Sequence, residues 1–329
     1  MKKLIIPLAL RRLFRWLAMV ITFFFINACE PSPDPTKTVT LAPNGILSAA
    51  LTHKMALLGS IDGRADLWLT NPARLLYTLA HSSNDEKGMI AVSLSDDSTY
   101  ALTAERNTFA WWNTKDGILL NSWQLAGIQT AKLSRNGSHA IIGLPDQAVY
   151  FSLAHGKTVH AFQHQAAVTA VDISTTGKFV ITGSSDKEAK LWSLNTGKLL
   201  HSWSHITKLS SVALSNNDQF AMLNAHLGPV FIRKTEDGTL YRKIGPKWVT
   251  VSAAQFSNDD KYLIAGRTNN RMDVWSLDDN KLAALYRLEE TPNQQAAPPR
   301  VLAFYFNQTD QISTISTNGI LQTWQFKPQ

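Results

Sequence analysis

One short pattern recurs seven times along this chain and decides most of what the chain can fold into. Each copy has an apolar residue, two variable residues, a second apolar residue, one variable residue, a third apolar residue, and then Ser, Thr or Asn. The copies begin at Ile46, Met89, Ile128, Val168, Leu209, Val251 and Val301. A repeat of about 40–45 residues is typical of propeller blades, in which each repeat forms one supersecondary unit.

Each copy continues with the same order of turns and strands. Turn residues such as Asn136-Gly137 follow the pattern, then comes an apolar strand such as 179–183, and a third strand usually ends in an aromatic residue. These aromatic residues are Trp68, Trp112, Phe151, Trp192, Trp275 and Trp324. Short turns such as 115–117 then lead to a fourth strand, and no sustained helical period follows residue 30. The pattern predicts an all-β protein, a seven-bladed β-propeller of four-stranded antiparallel blades.

The ends of the chain predict how the ring closes. The last copy ends at 324–329, which leaves no residues for its fourth strand, whereas the apolar-alternating segment 38–41 precedes the first copy without a partner. An open last blade would expose unpaired backbone groups along its edge. We therefore expect the N-terminal strand to complete the last blade.

The net charge does not indicate a nucleic-acid partner. The chain has 32 Lys and Arg against 25 Asp and Glu, and the segment 1–28 contains five of the basic side chains and no acid. The rest of the chain therefore carries 27 basic and 25 acidic side chains, which is close to neutral. Because binding to a polyanion depends on an excess of positive charge, the body of the chain gives no reason to expect one.

The segment 1–28 predicts an export signal. A basic region ending at Arg15 precedes the apolar run 16–25, which is shorter than a typical transmembrane span. The run ends in Ile26-Asn27-Ala28-Cys29, and this ending resembles the lipobox of bacterial lipoproteins. The resemblance implies cleavage before Cys29 and lipidation of that residue, which is the only Cys. The alternatives are an uncleaved anchor followed by a free thiol, and export by the twin-arginine route, which Arg11-Arg12 would serve.

The segment between this cysteine and the first strand predicts a short tether. The boundaries we expect are a signal peptide at 1–28, a Pro-rich tether at 29–36 and the propeller at 37–329. A Pro-rich chain is stiff and extends by about 3 Å per residue, so the propeller would be held near the membrane by its lipid alone. In lipoprotein sorting an Asp after the lipidated Cys retains the protein in the inner membrane. Glu30 at that position favours a periplasm-facing protein of the outer membrane.

The third strand of the fourth copy carries a resemblance to a known family. Residues 184–192, Ser-Ser-Asp-Lys-Glu-Ala-Lys-Leu-Trp, resemble the signature of WD-repeat proteins. In that family a His, a Ser or Thr, an Asp and a Trp form a hydrogen-bonded bracket within one blade, and the matching residues are His164, Thr182, Asp186 and Trp192. The fifth copy has His205 at the same offset but Arg233 in place of the Trp. The resemblance covers about 37–329 and implies protein binding rather than catalysis.

No motif in the sequence predicts an enzyme, a metal site or a cofactor. There is no His-Glu-x-x-His, no Gly-x-Ser-x-Gly, no phosphate-binding Gly loop and no dinucleotide fingerprint. The nine His residues are scattered, and we interpret acidic turns such as 96–97 and 259–260 as polar hairpin residues rather than as calcium ligands. We therefore expect no catalytic residue, cofactor or metal.

Residues on one rim of the ring are the candidate contacts for a partner. Lys247 and Trp248 lie between the fifth and sixth copies, where an aromatic beside a cation has the composition of an interface hot spot. Arg106, Lys187 and His226 lie in turns between second and third strands, on the same rim. The longest insertion, 289–299, is also on this rim. Packing of Trp248 over the neighbouring blade is the structural alternative.

These observations predict a lipid-anchored, non-catalytic WD-repeat propeller that acts as a protein-interaction scaffold in the bacterial cell envelope. One alternative is the propeller lipoprotein of the outer-membrane protein assembly machinery, which has eight blades; Trp123 and Trp203 follow Gly117 and Gly197 at the spacing of that family's repeat. The other alternative is a periplasmic propeller enzyme, which would need His and carboxylate side chains that converge on the channel.

Overall fold

Every regular element of the computed structural model is a β-strand, within the residues that the structure describes. These residues are 32–81, 88–245, 250–290, 297–307 and 310–327. No helix in these ranges is long and apolar enough to cross a bilayer. Residues 34–329 form one compact unit. The proposed signal peptide and Cys29 lie outside the described ranges, as do residues 246–249 and 291–296.

The strands form seven antiparallel sheets of four strands each, which we number as blades one to seven. The first strand of the chain, β1 (Lys37–Thr40), belongs to blade seven. Blades one to three are β2 (Ser48–Leu51), β3 (Met55–Gly59), β4 (Arg64–Thr70), β5 (Ala73–Ala80); β6 (Ala91–Leu94), β7 (Tyr100–Ala104), β8 (Thr108–Asn113), β9 (Leu119–Gln124); and β10 (Thr130–Leu133), β11 (His139–Gly143), β12 (Gln147–Ser152), β13 (Lys157–Gln163).

Blades four to six are β14 (Val168–Ile173), β15 (Phe179–Ser184), β16 (Glu188–Ser193), β17 (Leu199–Ser204); β18 (Leu209–Leu214), β19 (Phe220–Ala225), β20 (Val230–Lys234), β21 (Leu240–Ile244); and β22 (Val251–Phe256), β23 (Tyr262–Arg267), β24 (Arg271–Ser276), β25 (Leu282–Arg287). Blade seven has β26 (Val301–Phe306), β27 (Gln311–Ser316) and β28 (Ile320–Gln325). Each first strand contacts the first strands of the two neighbouring blades, and β26 contacts β2, so the blades form a closed ring.

The expected closure of the ring is confirmed. Strand β1 pairs with β28 in antiparallel register, with Val39 opposite Leu321, and so supplies the fourth strand of blade seven. The prediction of a seven-bladed all-β propeller is confirmed as well. The eight-blade alternative is wrong in blade number, because the strand at 37–40 completes an existing blade instead of starting another.

The second strand of each blade is buried on both faces because neighbouring blades cover it. This explains why these strands are continuous apolar runs in the sequence, without alternation. A glycine at or next to the end of several of them allows the blades to approach closely. A Cβ on Gly143 would lie only 2.4 Å from the carbonyl oxygen of Val168 in the next blade, and a Cβ on Gly183 would lie 2.9 Å from the Cβ of Leu209. The packing between blades therefore depends on the absence of a side chain there.

Candidate functional site: the loop face of the propeller

The two faces of the ring carry different kinds of connection. Because every blade is antiparallel and all first strands are equivalent, the turns between second and third strands lie on the same face as the connections between blades. We call this the loop face. The turns between first and second strands lie on the opposite face, which we call the turn face. The described candidate contact residues, Arg106, Lys187 and His226, belong to the loop face.

The structure places three of the five candidates on the surface. Arg106, Lys187 and His226 are exposed in the turns of blades two, four and five. Lys247 and Trp248 lie outside the described residues, so their role stays a prediction from sequence. The insertion at 289–299 is described only at its two ends.

A four-residue bracket holds the turn that presents Lys187. The hydroxyl of Thr182 lies 2.7 Å from Nε2 of His164 and accepts a hydrogen bond of 2.9 Å from Nε1 of Trp192. The other ring nitrogen of His164, Nδ1, lies 2.8 Å from Oδ2 of Asp186. Asp186 in turn accepts the backbone N–H of Glu188. The turn is thus anchored to the buried side of the blade, and Lys187 at its tip points outwards.

Two opposing effects set the charges in this bracket. Burial lowers the pKa of His164, although the hydrogen bond to Asp186 works in the other direction. Burial would raise the pKa of Asp186, but hydrogen bonds donated by the backbone of Gln165 and Glu188 and by His164 lower it. At neutral pH the arrangement is therefore a neutral imidazole that donates from Nδ1 to a carboxylate.

Blade two contains a second bracket that the sequence analysis missed. Nε2 of His81 lies 2.7 Å from the hydroxyl of Thr103, which also accepts a 2.7 Å hydrogen bond from Nε1 of Trp112. Glu105 takes the place of the aspartate, with Oε2 3.4 Å from Nδ1 of His81. Burial lowers the pKa of His81 to about 4. Nδ1 of His81 has no hydrogen-bond partner within the described residues, so the turn of Arg106 lies beside this bracket without the hydrogen bond that ties the turn of Lys187 to His164.

Spacing explains why this second bracket was missed. His81 precedes its Thr by a longer stretch of chain than His164 does, and Glu105 follows that Thr more closely than Asp186 follows Thr182. The longer side chain of Glu105 brings its carboxylate to 3.4 Å from Nδ1 of His81. A search for His, Thr and Trp with a flexible His offset would have found it.

Lys187 and His226 belong to one continuous surface, which the connection between blades four and five holds together. The N–H of His205 donates to the carbonyl of Lys187, the N–H of His226 donates to the carbonyl of Lys208, and the hydroxyl of Thr207 donates to the carbonyl of His226. Arg106 lies in blade two, in a separate turn. The structure therefore brings together two of the three described candidates.

Two exposed apolar side chains occupy the same surface, and the sequence analysis did not single them out. Ile206 is 92% exposed and Leu227 is 48% exposed. We call the surface formed by Lys187, Ile206, Lys208, His226 and Leu227 the blade 4/5 patch. All five residues are exposed. The sequence did contain a signal for these two residues. Each is a large apolar residue in a short polar connection, where turn-forming residues are usual.

The backbone of Leu227 is strained. Its φ is +54°, a value that is uncommon for a bulky residue without a short polar side chain. The N–H of Leu227 donates to the hydroxyl of Thr250 over 3.2 Å, and Nδ2 of the fully buried Asn224 donates to the carbonyl of Gly228. Strained residues that persist under such constraints cluster at ligand-binding and switch regions. The surrounding hydrogen bonds thus fix an unfavourable conformation that keeps Leu227 at the surface.

The turn face has a polar groove instead. Its volume is about 710 Å³, and its wall crosses the turns of blades two, three and four. Arg135 forms a 2.7 Å ion pair with Asp96, and His139 stacks on Tyr150 with 4.9 Å between ring centroids. Nζ of Lys132 in blade three lies 2.5 Å from Oδ1 of Asp172 in blade four. The two ion pairs join neighbouring blades, whereas the His139–Tyr150 stack lies within blade three, so the charged groups named here have partners within the protein.

No cluster of three or more His, Cys, Asp or Glu side chains able to hold a metal occurs in the part of the chain that the structure describes.

Comparison with known proteins agrees with the fold. Residues 156–193 match the family model "WD domain, G-beta repeat". A stretch of 126 residues is 26% identical to U3 small nucleolar RNA-associated protein 12 of Saccharomyces cerevisiae, covering 37% of this chain and 13% of that protein. A stretch of 213 residues is 22% identical to angio-associated migratory cell protein of Homo sapiens, covering 50% of this chain and 49% of that protein, with the same values for the protein of Pongo abelii.

The chain spans about half or less of the length of these relatives. The matched repeat includes all of the blade-four bracket, and together with the seven four-stranded blades it supports a WD-repeat β-propeller. Propellers of this kind are generally non-enzymatic scaffolds that bind other proteins.

Proposed function

We propose that the chain is a lipid-anchored, non-catalytic scaffold of the bacterial cell envelope, and that it binds a partner protein through the blade 4/5 patch. The observation that carries the binding site is the pair of exposed apolar side chains, Ile206 and Leu227, on loops that hydrogen bonds hold in place. Apolar residues at the centre of a patch with a polar rim are typical of interfaces. Here Lys187, Lys208 and His226 form that rim.

The rigidity of the ring supports the same function. Each loop of the patch is fixed by backbone hydrogen bonds and by buried side chains such as Asn224 and His164. A preorganised surface loses little conformational entropy when it binds, so more of the contact energy appears as affinity.

The lipid anchor and the location rest on the sequence of the leader. The apolar run 16–25 followed by Ile26-Asn27-Ala28-Cys29 supports lipidation of Cys29, and Glu30 favours the outer membrane. The first described residues lead directly into β1, which is part of the ring, so an anchor at Cys29 would hold the propeller through its closing strand.

Crosslinking in intact cells, followed by mass spectrometry of the captured proteins, tests this function. Four chains are compared: the wild type, Cys29→Ser, Ile206→Ser and Ile61→Ser. Ile61 is 71% exposed on the loop face of blade one, and so serves as a matched control for the loss of an exposed isoleucine elsewhere. We expect the wild type and Ile61→Ser to capture the same envelope protein, and Ile206→Ser to lose it.

The Ile206→Ser and Cys29→Ser chains test the binding patch and the lipid anchor separately. Capture that persists in Ile206→Ser removes the blade 4/5 patch as the binding site. Capture that persists in Cys29→Ser, together with a wild-type chain that fractionates as a soluble protein, overturns the lipid anchor. The appearance of lipid on Cys29 by mass spectrometry of the purified chain would support it.

A further inference from the structure

Blade five has lost the bracket that organises blades two and four. The strand pairing places Arg233 opposite Ala221, as it places Trp192 opposite Val180. The same position holds an aromatic residue in the other six blades: Trp68, Trp112, Phe151, Trp192, Trp275 and Trp324. In blade five the position of Thr182 is taken by Leu223, and the residue that corresponds to Asp186 is Leu227. Only the histidine, His205, is retained.

Two polar atoms of this site have no hydrogen-bond partner in the part of the chain that the structure describes. Nε of Arg233 and Nε2 of His205 are buried, and neither atom has a hydrogen-bond partner within the described residues. Both side chains lie against Phe231, with 6.0 Å from the guanidinium carbon to the ring centroid and 5.6 Å between the two ring centroids. Nζ of Lys243 lies 5.7 Å from the same centroid. Three basic side chains therefore surround one aromatic ring.

No carboxylate compensates these charges in the part of the chain that the structure describes. Nε of Arg233 has no hydrogen-bond partner there, and burial lowers the pKa of the Arg233 side chain. The pKa of His205 is lowered by burial and then by the charge of Arg233. A partly buried charge without a partner is unfavourable, and completing the pair with an opposite charge recovers much of that cost. In blade four the chain itself supplies a carboxylate beside the histidine, that of Asp186.

We propose that the site formed by His205, Phe231, Arg233 and Lys243 binds a carboxylate side chain of an acidic segment of the partner protein. A planar guanidinium suits a carboxylate, because its N–H groups form a fork that matches the two oxygens. The adjacent residues favour a polypeptide as the source, since Ile206 directly follows His205 and needs an apolar cover. This inference rests on the proposed function, and it adds that the partner segment combines acidic and apolar residues.

Peptide selection on the purified full-length chain tests the proposal. A library of short random peptides is selected on the wild type, on Arg233→Trp and on Lys234→Gln. Arg233→Trp restores the aromatic residue of the other blades. Lys234→Gln removes an equal charge from the next residue, which is exposed and points to the other face of the strand. We expect the wild type and Lys234→Gln to enrich peptides with Asp or Glu beside Leu, Ile or Phe, and Arg233→Trp to lose the acidic preference.

Affinity measurements make the result quantitative. The best peptide selected on the wild type is compared with the same peptide carrying Asn in place of Asp and Gln in place of Glu. The wild type should bind the acidic peptide at least tenfold more tightly than the neutral one. Arg233→Trp should bind both peptides equally. Arg233→Gln removes the charge without adding a ring, and provides the same comparison if the Trp variant does not fold.

Equal acidic content in the peptides selected on the wild type and on Arg233→Trp would overturn the proposal, as would a wild-type selection that enriches nothing. Cell crosslinking distinguishes this failure from failure of the proposed function. Capture that is lost in Ile206→Ser but unchanged in Arg233→Trp would leave the blade 4/5 patch as the binding surface and remove the carboxylate site.

Discussion

The hydroxyl of Thr182 joins two side chains that are both buried, His164 at 2.7 Å and Trp192 at 2.9 Å. Thr182→Val keeps the shape of the side chain and removes both hydrogen bonds. Each orphaned polar group costs about 1–3 kcal/mol, so we expect the free energy of unfolding to fall by roughly 2–4 kcal/mol. Urea denaturation measures the change. Thr158→Val, on an exposed strand position, should change the free energy by less than about 0.5 kcal/mol; equal effects of the two substitutions would contradict the bracket.

The histidine of blade two makes stability depend on pH in a defined direction. Burial lowers the pKa of His81 to about 4, whereas in the unfolded chain it is near its ordinary value of 6.5. The unfolded state therefore takes up the proton first as the pH falls. The stabilisation is complete above about pH 6.5, decreases as the pH falls towards 4, and amounts to roughly 3 kcal/mol in total.

Urea denaturation at a series of pH values between 4 and 7.5 tests this direction. We expect His81→Gln to flatten the dependence, because glutamine does not titrate. His226→Gln removes an exposed histidine and should leave the profile unchanged. If the His81→Gln and wild-type profiles have the same slope, protonation of this bracket does not contribute.

The two brackets show where the sequence was informative. The repeat predicted seven blades and their closing strand because it specifies a local strand order that recurs at a nearly constant length. The blade-four bracket could be proposed because its four residues match a known spacing. The blade-two bracket depends on Glu105 reaching His81 from a different offset, and only the folded turn brings these two together.

The blade 4/5 patch could not be found from residue spacing. Ile206 and Leu227 lie in different connections of the ring, and their common surface depends on hydrogen bonds between those connections. Arg233 was visible in the sequence as a substitution for an aromatic residue. That Nε of Arg233 has no partner among the described residues could be learned only from the folded structure, because folding could have brought an Asp or Glu next to its guanidinium.

The closing strand predicts what removal of the N-terminal segment does. A chain that begins at Leu41 lacks β1, and the backbone of β28 would become an open edge beside Leu321. Exposed edges pair with other chains, so we expect this shortened chain to self-associate. Light scattering after gel filtration measures the mass. A chain that begins at Asp34 retains β1 and serves as the control, and a monomeric Leu41 chain would show that closure by β1 is dispensable.

Trp248 remains a prediction from sequence, because it lies outside the described residues. Trp248→Ala should leave the free energy of unfolding unchanged and weaken capture of the partner, if the side chain belongs to an interface. Crosslinking in cells and urea denaturation are both needed. A fall in stability of about 3 kcal/mol or more with unchanged capture would instead show that Trp248 packs against a neighbouring blade.

Arg233 predicts a conflict between stability and binding. Arg233→Trp removes a partly buried charge that has no partner within the described residues, and it restores the aromatic residue present in the other six blades. We expect the free energy of unfolding to rise by about 1–2 kcal/mol, as is common when a residue held for function is replaced. Thermal and urea denaturation measure the effect, and Lys234→Gln should be neutral. A loss of stability in Arg233→Trp would mean that the guanidinium is better accommodated between blades four and five than an indole, and that its charge is not a source of strain.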